Sequence, residues 1–146
     1  KLKLAFLYKF ATYVECKPRV EEGSIRIGVL GPNPFGKSLK KLDKKKPKGR
    51  KLTTYSFKDI GEYQDVDILF VSAPMTAKDL DLLREKTKDK SILIVGQTLE
   101  FLQQGGVMRF SLSPDGRIKI HLSSTNARQR KLDIDARLLK ICQIEK

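Results

Sequence analysis

The sequence predicts a single α/β domain over residues 1–146, built on a mostly parallel sheet with helices on both faces and finished by a C-terminal antiparallel hairpin. Two wholly apolar runs, Ile68-Leu69-Phe70-Val71 and Ile92-Leu93-Ile94-Val95, read as strands buried on both faces, as parallel pairing requires. Segments with apolar residues at helical spacing separate these runs. At 146 residues the chain is long enough for one core and short for two.

Leu2 to Glu15 is expected to be a helix with a wide apolar arc. Phe6, Phe10 and Tyr13 form one stripe, and Leu7, Ala11 and Val14 form its neighbour. One stripe can face the core; the other then needs a second element of the same fold or a second copy of the protein. The aromatic stripe is the candidate interface, and a homodimer is the expected assembly. Ser24 to Leu30 follows as a β-branched strand, then a helix from Phe35 to Lys45. Pro47 and Gly49 keep the basic stretch Lys44 to Lys51 from being helical. Leu52 to Phe57 and Val66 to Val71 are strands flanking a turn at Asp59-Ile60-Gly61. Thr76 caps an amphipathic helix running to Lys88, with Leu80, Leu82 and Leu83 inward.

Ser91 to Val95 is a strand, and Thr98 to Gln104 a short helix stopped by Gly105-Gly106. Val107 to Leu112 and Arg117 to Leu122 form the hairpin around Ser113-Pro114-Asp115-Gly116. Met108, Phe110 and Leu112 share one face with Ile118, Ile120 and Leu122, which leaves His121 on the wetter face as an ordinary surface residue. A last helix is expected from Thr125 to Cys142. The sum is a three-layer, Rossmann-like arrangement with no internal repeat and no domain boundary.

Gly31-Pro32-Asn33-Pro34-Phe35-Gly36-Lys37-Ser38 has the spacing of a phosphate-binding P-loop and sits between a strand and a helix-favouring segment. The residues argue against that use. A P-loop wraps phosphates with consecutive backbone N–H groups, and Pro32 and Pro34 have none. Neither buried apolar run ends in a carboxylate that could hold magnesium; they lead into Ser72 and into Gly96-Gln97. Asn33, Phe35 and Gly36 are instead the candidate strand-end turn site.

The chain carries a formal net charge of +13. Together with the loop Lys44 to Lys51, this suggests a binder of anionic polymer or of a membrane surface as an alternative function. The loop has no aromatic residue to stack on bases, so no nucleic-acid partner is expected. No apolar run is long enough to span a bilayer. The sequence begins at Lys1, so an upstream segment is expected to precede it, and a removed export signal would leave no trace. The cysteines are Cys16 and Cys142 and the histidine is His121, a set that predicts no metal site and no cofactor. Cys16 and Cys142 each end a helix of the expected fold, which makes them a candidate disulfide in an oxidising compartment. The competing reading has both as small apolar core residues. No Ser/His/Asp set, cysteine–histidine pair or metal cluster is evident, so no enzymatic activity is expected.

Ala5-Phe6-Leu7-Tyr8-Lys9-Phe10-Ala11-Thr12-Tyr13-Val14-Glu15, followed by Gly28-Val29-Leu30-Gly31 and Pro34-Phe35-Gly36, resembles the opening of the YfiR family of bacterial periplasmic proteins. The resemblance continues through Gly49-Arg50, Ile68-Leu69-Phe70-Val71-Ser72, Phe101-Leu102-Gln103-Gln104-Gly105-Gly106, Val107-Met108-Arg109-Phe110 and Ala136-Arg137-Leu138-Leu139-Lys140. It departs at Cys16-Lys17-Pro18, where the family often has tryptophan-proline, and at Ser123, where it often has asparagine. The resemblance implies a non-catalytic regulator in the periplasm, similar to a repressor that holds an inner-membrane diguanylate cyclase inactive until an outer-membrane-anchored lipoprotein sequesters it. The implied partner is a membrane-bound signalling protein, a diguanylate cyclase or a sensor kinase.

Overall fold

In the computed structural model, which describes residues 2–16 and 23–145, the chain opens with helix α1 (Leu2–Tyr13) and strand β1 (Val14–Cys16). Lys17 and Pro18, where the family departure falls, lie outside the described residues. Strand β2 (Ser24–Leu30), a short helix α2 (Ser38–Lys41), 3₁₀ turns at Leu42–Lys44 and Pro47–Gly49, and strand β3 (Lys51–Phe57) follow. A 3₁₀ turn at Ile60–Glu62 leads to β4 (Ile68–Val71), α3 (Ala77–Lys86) and β5 (Leu93–Gly96). The hairpin is β6 (Met108–Leu112) and β7 (Ile118–Ser123). The chain then runs through α4 (Ser124–Gln129), β8 (Leu132–Ile134), α5 (Ala136–Leu139) and β9 (Cys142–Glu145).

A seven-stranded sheet in the order β3-β2-β4-β5-β6-β7-β9 is the centre of the fold. β3, β2, β4, β5 and β6 are mutually parallel; β7 turns back against β6, and β9 runs parallel to β7. Alternate residues of a strand point to opposite faces, so each buried strand feeds two apolar clusters. Ile68, Phe70, Leu93 and Val95 join Leu7 and Phe10 of α1 on one face. Leu69, Val71 and Ile94 join Leu83 of α3 and Phe101 on the other.

Several elements stand where local chemistry puts them. β2 has the expected bounds, and Thr76 caps α3 by accepting a hydrogen bond from the Asp79 N–H at 3.1 Å. The hairpin register sets Met108 opposite Leu122 and Phe110 opposite Ile120, as the alternation requires. Leu112 overhangs the core and is 70% exposed. Leu80 and Leu83 of α3 are buried, but Leu82 faces outward.

Three expected helices change form. The segment after β2 turns through residues 34–37 before a helix of four residues, because Asn33 accepts the Phe35 N–H at 2.9 Å and so forms a local turn. Thr98 to Gln104 is a series of turns rather than a helix. The last helix, expected from Thr125 to Cys142, divides into α4, β8, α5 and β9. Lys131 takes φ 58°, Asp135 caps α5 by accepting the Arg137 N–H at 2.8 Å, and β8 pairs antiparallel with β1. The spacing of Leu132, Ala136 and Leu139 fitted a helix, yet Leu132 and Ile134 serve a strand.

Candidate functional site

β2 leads to β3 on one side and the chain returns to β4 on the other, so the order of the parallel strands reverses between β2 and β4. Ligands of open α/β sheets bind at the carboxyl ends of the strands beside such a reversal. The turns after β2, β4 and β5 meet there.

The reversal point itself is closed. Ser72 Oγ lies 2.5 Å from the Pro32 carbonyl oxygen and 3.1 Å from that of Leu30. Gly31 has φ +103°, and a Cβ there would come within 2.8 Å of Ser72 Oγ. The Gln97 amide donates to the Ser72 carbonyl at 3.0 Å, and Lys3 Nζ donates to the Gln97 side-chain oxygen. These bonds tie the start of α1 to the ends of β5, β4 and β2. The open space lies one strand over, a cavity of about 140 Å³ lined by Val71, Ser72, Met75, Gln97, Glu100 and Phe101 among others. Drug-sized ligands and cofactors occupy about 300–1,000 Å³, so this cavity suits a handful of waters or a very small polar molecule.

The P-loop spacing does not build a phosphate cradle. The N–H groups of Gly31, Phe35, Ser38 and Leu39 already donate to Phe57, Asn33, Phe35 and Gly36 respectively, and the two prolines have none to offer. Asn33 also donates from its amide to the Gly36 carbonyl at 3.2 Å, so its side chain closes the turn at both ends. Asn33 and Gly36 are exposed, while Phe35 packs on Phe70 with ring centroids 5.6 Å apart. Calorimetry with Mg-ATP and Mg-GTP is expected to detect no binding in the micromolar range. Binding abolished by Lys37→Ala would contradict this account of the turn.

The aromatic stripe of α1 points the other way from the sequence expectation. Phe10 is fully buried, and its ring stacks on Phe110 of β6 at 5.9 Å and on Phe6 at 6.5 Å. Tyr13 is half-buried with the Arg137 guanidinium 4.9 Å above its ring. Phe6, Phe10 and Tyr13 therefore attach α1 to its own domain, and a dimer contact centred on Phe10 is ruled out by its burial.

No disulfide joins Cys16 to Cys142, so the candidate bridge is not formed. Cys16 is buried in β1 and its thiol donates to the Asp67 carbonyl at 3.5 Å. Cys142 lies on β9 opposite Ile120, in a different sheet from Cys16, because the last helix does not continue to it. Burial pushes the Cys142 thiol up to about 11. Iodoacetamide at pH 8 should therefore label Cys142 at least about tenfold more slowly in the folded protein than after unfolding. A mapped peptide joining the two cysteines would contradict the thiol assignment.

His121 is not the surface residue expected from the hairpin alternation. It is 8% exposed, with Nε2 2.8 Å from Ser111 Oγ and Nδ1 2.7 Å from Glu145 Oε2. The hairpin register makes the Ser111–His121 approach readable in the sequence, but Glu145 arrives only through β9, which had been hidden inside an expected helix. The connectivity is that of a serine–histidine–acid relay. Its Ser111 sits inside a paired strand, not on the turn or helix start whose free N–H groups receive an oxyanion. The three residues act as a clasp that holds the C-terminal strand to the hairpin. Among the described residues no His, Cys, Asp and Glu group is arranged to hold a metal ion.

Comparison with known proteins assigns the chain. Residues 1–143 match the YfiR/HmsC-like family. The chain belongs to that family. No curated protein matches it in sequence. Among solved structures, the crystal structure of a conserved domain protein from Vibrio cholerae O1 biovar El Tor is similar in fold, with a TM-score of 0.60 at 14% identity over 98% of this chain. The YfiR/HmsC-like chain spans 60% of the length of that protein.

Proposed function

We propose that this YfiR/HmsC-like chain is a non-catalytic regulator in the periplasm that acts through protein contacts on a membrane-bound signalling protein. In its fold it is read as a single three-layer Rossmann-like domain. The observation that carries the proposal is the family match over residues 1–143. The site geometry is in keeping with it: the carboxyl-edge cavity is too small for a nucleotide, and in the P-loop-like turn the N–H groups of Gly31, Phe35 and Ser38 are already engaged while Pro32 and Pro34 have none. No described helix is long and apolar enough to cross a membrane. The partner is taken to be a diguanylate cyclase in the cyclic-di-GMP pathway, with a sensor kinase as the other membrane protein of the right kind and an outer-membrane-anchored lipoprotein as the competing binder. The test is to export the chain in cells expressing a membrane diguanylate cyclase of the same organism and to measure cyclic-di-GMP. A lowered level is expected; levels that stay unchanged with every such cyclase would count against the proposal.

A further inference from the structure

α1 turns its aromatic stripe inward, and what it leaves outside is a groove. The opposite wall is the segment Ser38–Lys45, which carries α2 and the 3₁₀ turn after it. The space between them is about 690 Å³, with Leu4, Tyr8 and Leu42 among its apolar lining and Lys9, Lys41 and Lys45 at its rim. Among the described residues none of these three lysines is ion-paired, and no acidic side chain lines the groove. Asp43, the nearest carboxylate in sequence, is turned toward β3, where it accepts from the Thr54 N–H at 3.0 Å and the Thr54 hydroxyl at 2.8 Å. Lys45 Nζ stands 4.9 Å above the Tyr8 ring, which keeps its charge at the mouth.

We infer that this groove docks an acidic amphipathic helix of a partner protein. Both walls are helical segments whose backbone groups are used within the turns, so the groove offers no strand edge with which an extended segment could pair. A helix needs no such edge, and it presents apolar side chains at i, i+3, i+4 and i+7 to a groove of this kind. The α1 wall from Leu4 to Tyr13 is roughly 14 Å long, two to three turns of an occupant. Carboxylates on the flanks of that helix would meet Lys9, Lys41 and Lys45. A second copy of this chain is a poor occupant because each copy carries a net charge of +13. A small ligand is a poor one as well, since Ala5, Lys9, Lys41 and Lys45 leave the groove open to solvent.

The inference rests on the reading that the chain works through protein contacts. Its test is a titration of the whole chain with a lactam-locked helical peptide of roughly 14 residues bearing leucine at i, i+3, i+4 and i+7 and glutamate on both flanks. The controls are the same peptide with lysine for glutamate, and phosphatidylglycerol vesicles. We expect saturable binding of the acidic peptide, none of the basic one, and a loss of about tenfold or more both in Tyr8→Glu and in the double variant Lys41→Glu/Lys45→Glu. Both lysines are exposed, so the double variant folds whatever happens to Tyr8→Glu. Equal binding of the two peptides, unchanged binding by the double variant, or vesicle binding in place of peptide binding would overturn the assignment. The titration contains no membrane protein, so its failure removes the groove and leaves the regulatory reading to the cyclic-di-GMP measurement.

Discussion

Phe10→Asp should unfold the domain. Phe10 is fully buried among Leu7, Phe6 and Phe110, so the substitution deletes a core aromatic ring and strands a carboxylate without a partner. Truncating a core phenylalanine costs about 3–5 kcal/mol, and the buried charge adds several more unless it is neutralised. Domains of this size are stable by about 5–15 kcal/mol in all, so little or nothing is left. Circular dichroism should show the loss of the cooperative transition, while Lys9→Asp, at the exposed neighbouring position, should melt close to the wild type. A folded Phe10→Asp monomer would mean that the stripe faces solvent and that the orientation of α1 given above is wrong.

Gly106→Ala should destabilise the carboxyl edge of the sheet and alter its cavity. A Cβ at Gly106 would stand 2.1 Å from Phe101 Cε2, and one at Gly96 would stand 2.5 Å from the same ring. The Phe101 ring is 4% exposed and held against both glycines, so it can yield only by moving within the space it lines. Overpacking of this kind costs about 1–3 kcal/mol, which lowers Tm by roughly 3–10 °C in a domain of this size. The cost belongs to the contact with Phe101, so in a Phe101→Leu background Gly106→Ala should cost clearly less than alone. Unchanged melting in Gly106→Ala would contradict the close approach.

These glycines illustrate what the sequence could and could not reveal. Gly105-Gly106 read as a helix stop, and Gly105 does take φ +103°, but Gly106 is required by a ring five residues earlier in the chain. The buried parallel strands were legible because Ile68-Leu69-Phe70-Val71 and its partner are apolar without interruption, a pattern that few other environments accept. The hairpin and the Thr76 cap were legible because their chemistry is local.

What escaped was decided at long range. Leu132, Ala136 and Leu139 have helical spacing, but the edge offered by β1 and the capping preference of Asp135 divide that segment, and only the fold brings β1 near. The direction of α1 escaped for a related reason. Both of its stripes are apolar and both are covered by the fold, the Leu7, Ala11 and Val14 stripe fully and Phe10 by Phe110, more than ninety residues away in the sequence. The His121–Glu145 contact follows from β9, which no local pattern announces. The turn at Asn33, Phe35 and Gly36 was legible as a turn, since two prolines and an asparagine determine its hydrogen bonding almost alone.

The central claim is that the chain restrains a membrane cyclase without chemistry of its own, and genetic epistasis measures it most directly. Cellular cyclic-di-GMP would be quantified in the wild type, in a strain lacking this chain, and in strains lacking both this chain and individual membrane diguanylate cyclases. The account predicts a rise on loss of the chain that disappears when one particular cyclase is removed as well. An unchanged level on loss of the chain, or a rise that survives removal of every membrane cyclase, would contradict it.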